Sequence, residues 1–307
     1  MTAAGRPVRP RVAVLMATHN GSAYLDEQIE SVLAQRDVDV RLVISDDGST
    51  DGTRAVIARW SADPRVVVLP HGAFGSPAGN FLRLIRDADV QGCDAVAFAD
   101  QDDVWWPERL SRQWRQLATA DAVSANVVAV TEGRRQLIDK AQPQRSSDHV
   151  FESAGAGCTF VLSPAAFALV RRVVETDPEA DRAAIHDWLA YAVVRAAGMR
   201  WRIDPEPVLD YRQHGRNFTG ANRGPRQAWV RLERLRSGSY RREAAVIARI
   251  AARAAEGAER RRLELLARML ERNEWRDRLA LARGVGSFRR RPLERAALAA
   301  LLLAGVW

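Results

Sequence analysis

A chain of 307 residues that is 47% hydrophobic and 27% charged is long enough for one large globular domain with an appendage, and its composition excludes intrinsic disorder. Two cysteines, Cys93 and Cys158, fit a reducing compartment, the amino terminus lacks the order of a secretory signal, and the longest apolar run, Ala296 to Trp307, falls short of the roughly 20 residues of a spanning helix, so a cytoplasmic chain without a transmembrane segment is expected. The net charge of +8 hints at nucleic acid only until it is divided, because residues 1–222 carry 25 Lys and Arg against 29 Asp and Glu, a net of −4, whereas residues 223–307 carry 21 Arg against 9 acids, a net of +12.

Residues 1–10 hold two prolines and little to bury, and are expected to form a flexible lead-in. The run Val12 to Ala17 reads as a first strand that breaks at Thr18-His19-Asn20-Gly21. Leu25, Ile29, Val32 and Leu33 then recur at helical spacing. Val40 to Ile44 makes a second strand, closing in Ser45-Asp46-Asp47-Gly48, with Asp51 placed to cap the next helix. Strand, helix, strand is a βαβ unit, whose right-handed crossover sets the two strand ends side by side. A short strand at Val66 to Leu69 and a helix over 79–88, with Phe81, Leu82 and Ile85 inward, come next.

The run Ala95 to Ala99 reads as a buried parallel strand, and it ends abruptly in Asp100-Gln101-Asp102-Asp103. One helix cap does not account for three acids, which raise each other's pKa unless a cation or a partner neutralises them. A helix from Pro107 to about Ala118 and a strand near Val127 to Val130 follow. The polar ends at Thr18, Asp46 and Asp100 are predicted to share one sheet edge, where open α/β sheets bind ligands.

From 131 to 160 the pattern weakens, with a loop expected over 146–151 and a flexible glycine-rich turn over 155–159. A strand at Phe160 to Leu162 and a helix at Pro164 to Val174 precede a helix over 185–194 that carries Asp187 in its first turn. Trp201 to Leu209, interrupted by Pro205 and Pro207, is expected to be an edge strand. Beyond Gly224 only helical periodicity remains, in two or three Arg-rich helices. The expected division is therefore 1–10 as lead-in, 11–222 as the α/β unit and 223–307 as a basic helical tail.

Five motifs taken together resemble the family 2 glycosyltransferases of the GT-A fold, and among them the bacterial rhamnosyltransferases of surface polysaccharide. They are Val14-Leu15-Met16-Ala17-Thr18-His19-Asn20, Asp46-Asp47-Gly48-Ser49-Thr50-Asp51, Asp100-Gln101-Asp102-Asp103-Val104-Trp105, His186-Asp187-Trp188 and Tyr211-Arg212-Gln213-His214-Gly215. The resemblance covers about residues 10–222. It implies an α/β, Rossmann-like GT-A fold with a mostly parallel sheet flanked by helices and a C-terminal α-helical extension. The implied activity is inverting, metal-dependent transfer of a sugar, above all L-rhamnose from dTDP-rhamnose, to a hydroxyl of a lipid-linked or polysaccharide acceptor.

The resemblance gives each motif a role. Ala17, Thr18, His19, Asn20, Asp47, Asp100 and Gln101 would bind the donor nucleotide, Asp47 accepting from the N3–H that uracil and thymine share, although an Asx-type turn before Gly48 would also use that carboxylate. His19 departs from the tyrosine usual in the family. Asp102 would hold a divalent cation, Mg²⁺ or Mn²⁺, with help from Asp100 and His214, while Asp103 would stand behind it or cap a helix. Asp187 would be the base that takes the acceptor proton. Cys158, Thr159, His186, Trp188 and Arg212 would face the acceptor or a phosphate; Trp188 is equally suited to a core. Asn80-Phe81 is family-like without an assigned chemistry.

A UDP-hexose donor is the nearest alternative, since the nucleotide motifs do not separate it from dTDP-rhamnose. A non-catalytic nucleotide-binding scaffold would instead leave the carboxylates dispensable. Nucleic acid is not expected as a partner, because the basic segment lacks interleaved aromatics. The tail is expected to lie on an anionic membrane surface at the inner face of the plasma membrane, with Leu293 to Trp307 as its anchor, and self-association into a homo-oligomer stays open.

Overall fold

The structure is a computed structural model that describes residues 9–131, 133–213 and 237–307. Strand β1 (Arg11–Thr18) lies between β2 (Asp39–Asp46) and β4 (Ala95–Ala99), parallel to both. Their registers run from Val12 opposite Val40 to Thr18 opposite Asp46, and from Val12 opposite Ala95 to Met16 opposite Ala99. Three acid- or polar-ended strands therefore finish at one edge. β1 and β4 are made of small and branched residues that are almost wholly buried, as both faces of a helix-covered parallel sheet require. The covering helices include α1 (Leu25–Leu33), α2 (Thr53–Trp60) and α3 (Pro77–Asp87). Ser76 accepts from the Gly79 N–H at 3.0 Å and Pro77 occupies the first helical turn, so α3 starts two residues before the expected boundary.

The main sheet has the order β10-β6-β9-β4-β1-β2-β3, completed by β3 (Val66–Val68), β6 (Ala122–Ala125), β9 (Val161–Leu162) and β10 (Trp201–Asp204). Only β9 runs antiparallel to its neighbours in this sheet. A second sheet, β5-β11-β7-β8, is built from β5 (Val104–Trp105), β7 (Val127–Thr131), β8 (Arg134–Ile138) and β11 (Leu209–Arg212). The stretch read as one strand over 201–209 is thus divided between the two sheets. β10 is an edge strand as expected, whereas β11 lies inside the second sheet. The supposed loop at 146–151 contains a buried turn of helix, α5 (Asp148–Phe151), and residues 157–159 form a buried 3-10 turn rather than a loose one.

Helices α4 (Arg109–Gln116), α6 (Pro164–Thr176) and α7 (His186–Ala196) complete the α/β unit. Among the described residues the tail forms four helices, α8 (Ser239–Ala254), α9 (Gly257–Arg272), α10 (Trp275–Gly284) and α11 (Pro292–Ala304). They are docked, not pendant. Ile247, Leu263, Leu298, Leu302 and Trp307 belong to the same buried apolar cluster as Phe81, Phe98 and Trp188. Several arginines of the tail pair with acids of the sheet unit. Arg290, its side chain 0% exposed, sits 3.3 Å from Asp148 and 3.1 Å from Glu152, and Arg249 meets Glu179 at 2.8 Å. Among the described residues no helix is long and apolar enough to cross a membrane. The boundary expected near residue 222 lies outside the described residues.

Candidate active site

The strand ends are stitched together before any ligand is considered. Asn80 on α3 donates from Nδ2 to the carbonyls of Thr18 at 3.2 Å and Ser45 at 2.9 Å, which supplies the missing role for that family-like asparagine. Thr18 donates to Asp46 Oδ1 at 3.0 Å, and Asp46 also accepts from the Ser49 N–H at 3.1 Å and from Arg54 at 3.3 Å. The Asx-type turn is thus made by Asp46. Asp47 reaches sideways instead: its Oδ1 accepts from the N–H groups of Phe74 and, at 3.2 Å, Gly75, and its Oδ2 makes no hydrogen bond among the described residues. Asp51 accepts from the Thr53 N–H at 2.9 Å at the start of α2, and its bonds from Thr53 and Ser22 overcome burial to hold its carboxyl down at about 2.

Gln101 locks the acid loop onto the end of β1. Its Oε1 accepts from the His19 N–H and its Nε2 donates to the His19 carbonyl, both at 2.9 Å. His19 Nδ1 lies 2.6 Å from the Asp47 carbonyl, and Asn20, at φ 48°, accepts from the Thr50 N–H at 2.8 Å. An amide, an imidazole and two backbones therefore fix three loops relative to one another.

These loops open on a cavity of about 1310 Å³. Its lining includes Ala17, Thr18, His19, Asn20 and Asp47, the acid-loop residues Asp100, Gln101 and Asp102, and His186, Asp187 and Trp188 at the start of α7. Asp100 is half-buried, and its carboxyl is pushed up to about 7 by burial and by the nearby Asp102 and Asp187. Asp103 points away from this cavity. It is fully buried, six residues ahead of α4 and so not its cap, with both oxygens lacking a hydrogen bond and its carboxyl raised well above the usual range by burial and by Asp100 and Asp102. Ligand atoms of Asp100, Asp103 and Cys158 lie within 4.8 Å of one another.

A buried clamp underlies the acid loop. The Arg109 guanidinium stacks 3.4 Å from the Trp105 ring centre, donates to the Cys158 carbonyl, and meets Gln113 at 3.1 Å; Gln113 in turn donates to the Thr159 carbonyl at 2.8 Å. Helix α4 thereby joins Trp105, just past the acid loop, to the 157–159 turn. That turn is packed against the start of α7. A Cβ on Gly157 would lie 2.7 Å from Asp187 Cβ and 3.1 Å from His186 Nε2, so only glycine fits there. Burial pushes the Asp187 carboxyl up to about 7, partly opposed by the backbone N–H groups of Trp188 and Gly157. His186 stacks on Phe81 with ring centres 3.7 Å apart, and burial lowers its pKa to about 3, so the ring is neutral at pH 7. Trp188 is both wall and core, 4% exposed, with Nε1 donating to the His149 carbonyl at 2.9 Å.

Three residues expected at the acceptor or phosphate do not reach the cavity. Cys158 and Thr159 are fully buried, because the 3-10 turn directs them toward α4 and β6: Thr159 donates to the Ala156 carbonyl at 2.7 Å and accepts from the Ala125 N–H at 3.2 Å. Their neighbours Gly155, Ala156 and Gly157 line the cavity instead. Arg212 pairs with Glu27 on α1 and lies over the Tyr24 ring at 5.6 Å. His214 lies outside the described residues. The lining also includes Tyr211 of the fifth motif, to which no role was given, and residues that no motif singled out, namely Lys140, Glu152, Tyr240 and Arg289. One signal was available for the first of these: Lys140 is the only lysine in a chain with 46 Lys and Arg.

The family model for glycosyl transferase family 2 matches residues 13–174, more than half of the chain and all three converging strand ends. The chain belongs to this family. The transferase is 37% identical over 240 residues to the dTDP-rhamnosyl transferase RfbG of Shigella flexneri, covering 76% of this chain and 83% of that protein. Two solved structures share its fold at low identity. S. aureus TarS 1–349 in complex with UDP-GlcNAc superposes with a TM-score of 0.57 at 15% identity, over 96% of this chain and 89% of that one. The mannosyltransferase PcManGT of Pyrobaculum calidifontis, in complex with GDP-Man and Mn²⁺, gives 0.51 at 18% identity, over 97% and 86%.

Proposed function

We propose that this glycosyltransferase moves L-rhamnose from dTDP-L-rhamnose, with inversion, onto a hydroxyl of a lipid-linked glycan of the cell envelope. The reading rests on one observation: a carboxylate with an open oxygen, Asp47, and a half-buried carboxyl poised near neutrality, Asp187, line one cavity together with an acid loop. The similarity to a rhamnosyl transferase supports the choice of sugar.

Asp47 Oδ2 accepts from the pyrimidine N3–H, while His19 and Asn20 border the nucleoside. Asp187 takes the proton of the acceptor hydroxyl as its oxygen attacks the anomeric carbon; the new C–O bond forms on one face while the bond to the nucleoside diphosphate breaks on the other. A base near pH 7 combines the correct protonation state with sufficient basicity. His186, neutral and stacked on Phe81, holds the first turn of α7 and leaves proton transfer to its neighbour.

The acid loop fits a divalent cation. Asp100 and Asp102 offer oxygen ligands to the cavity; burial and then the crowding of carboxyls raise Asp100, and a cation relieves that crowding. When bound there, Mg²⁺ or Mn²⁺ supplies positive charge to the leaving diphosphate. The buried Asp103 and Cys158 form the floor beneath.

The site of action is the inner face of the plasma membrane, with the Arg-rich C-terminal helices against it. The two sides of α11 support this: Leu298 and Leu302 enter the core, while Leu293 and Leu303, on the opposite side, are 85% and 60% exposed.

Thermal melting with a donor panel in Mn²⁺ tests the reaction. dTDP-rhamnose at 100 times its Kd should stabilise the fold by about 2.7 kcal/mol and raise its Tm. A response to UDP-hexoses alone would make the enzyme a hexosyltransferase, and no response to either nucleotide class would overturn the assignment.

A further inference from the structure

Among 46 Lys and Arg residues a single lysine remains, and it lines the cavity near enough to Asp187 to act on its carboxyl. Its backbone is pinned: the Lys140 N–H donates to Asn126 Oδ1 at 2.6 Å, and buried Asn126 is itself held by the Pro205 carbonyl at 2.7 Å. The side-chain stem runs along Gly155, where an added Cβ would stand 3.6 Å from Lys140 Cβ and 3.8 Å from its Cγ. The stem is thereby aimed at the cavity beside the glycine-rich turn that supports Asp187.

The head group has no hydrogen bond and no ion pair to any described residue. The acids that act most on its charge, Glu294 and Glu152, are engaged elsewhere, and Asp187, whose Oδ1 has no hydrogen bond, is near enough for the Lys140 charge to oppose the rise in its pKa. Glu152 accepts from the Arg290 N–H at 2.7 Å and from its guanidinium at 3.1 Å, and Glu294 stands 3.7 Å from Arg289. Arg289 lines the same cavity. A half-buried ammonium near the Asp187 carboxyl, in a cavity that Arg289 also lines, is a site for an anion. A compact ammonium can approach a phosphate in a space where a guanidinium fork does not fit.

We infer that Lys140, with Arg289, binds an oxyanion of the acceptor that lies within one sugar of the attacked hydroxyl. The acceptor class is then a glycosyl phosphate or diphosphate, with a uronic acid as the other source of such an anion, and not the neutral end of a long glycan. This rests on the sugar-transfer reading of the cavity and adds the charge of the acceptor to it.

The lone lysine makes a direct test available. Reductive methylation with ¹³C-formaldehyde labels Lys140 and the amino-terminal amine, whose resonances separate by their pKa values. With the nucleotide site filled by dTDP and Mg²⁺, addition of pyrophosphate should shift the Lys140 resonance and raise its pKa, because a bound anion favours the charged amine. Transfer assays then compare a synthetic alkyl glycosyl diphosphate, the matching alkyl uronide and the neutral alkyl glycoside. The wild type should prefer a charged acceptor by roughly tenfold or more in kcat/KM. That preference should collapse in Lys140→Gln and recover in part in Lys140→Arg. Preference for the diphosphate over the uronide identifies a phosphate, and the reverse identifies a carboxylate. The inference is overturned if pyrophosphate leaves the Lys140 resonance in place, or if Lys140→Gln keeps the full preference. If dTDP itself fails to bind, it is the sugar-transfer reading that falls.

Discussion

Replacing Asp187 by Asn should stop sugar transfer and at the same time stabilise the folded enzyme at alkaline pH. Burial raises the Asp187 carboxyl from 3.8 to about 7, so the folded chain keeps a proton that the unfolded chain has already released. Stability therefore falls as pH rises from about 4 to about 7, and the whole penalty is present above pH 7. About three units at 1.36 kcal/mol each give roughly 4 kcal/mol, or about 2 kcal/mol once water reaching a half-buried group is allowed for. Between pH 5.5 and pH 8 the part that develops is about 1–2 kcal/mol. An amide carries none of it. In the absence of divalent ions, the gain in Tm of Asp187→Asn over wild type should be larger at pH 8 than at pH 5.5, by on the order of 2–4 °C. Wild-type transfer should rise tenfold per pH unit below about pH 7 and level off above it. A variant that still transfers sugar, or whose Tm gain is the same at both pH values, would refute the assignment of Asp187 as a strained, buried base.

Other substitutions probe the scaffold. Gly157→Ala should push the added methyl against Asp187 and His186, costing about 1–3 kcal/mol in denaturant unfolding and lowering kcat while donor affinity stays as it was. Arg290→Met leaves the buried Glu152 without its cation and Asp148 with only Arg195 at 3.5 Å and the Tyr191 hydroxyl at 3.1 Å, so a loss of roughly 3 kcal/mol is expected, and urea titration should show it at neutral pH. Leu293→Glu with Leu303→Glu should leave the melting temperature within a degree or so, yet weaken sedimentation with anionic vesicles by tenfold or more; unchanged sedimentation would place the membrane contact elsewhere.

The strands that build the site were legible because each is an apolar run closed by acid or amide. β1, β2 and β4 needed no tertiary information, and their parallel order follows from the crossover rule. The second sheet was harder to read for a physical reason. β5 has two residues, and β8 is an exposed strand of Arg, Gln and Leu with no alternation to detect. The docking of the tail was invisible because Arg290 finds Asp148 and Glu152 across some 140 positions of sequence, so its charge reads as solvated until the fold is known. Within the acid loop, three carboxylates look alike in sequence. Burial separates them, sending Asp103 to the Cys158 floor and leaving Asp100 and Asp102 on the cavity. Cys158 and Thr159 were misplaced because a glycine-rich stretch suggests an open turn, whereas here Gly157 is small so that the turn can press against Asp187.

The account divides labour between an acid loop that binds donor and a base that does not. Calorimetric titration of dTDP-rhamnose in Mg²⁺ into the wild type, Asp102→Ala and Asp187→Ala measures that division directly. Equal binding by the wild type and Asp187→Ala, with binding lost in Asp102→Ala, is the predicted result; Asp102→Ala binding as tightly as the wild type would contradict it.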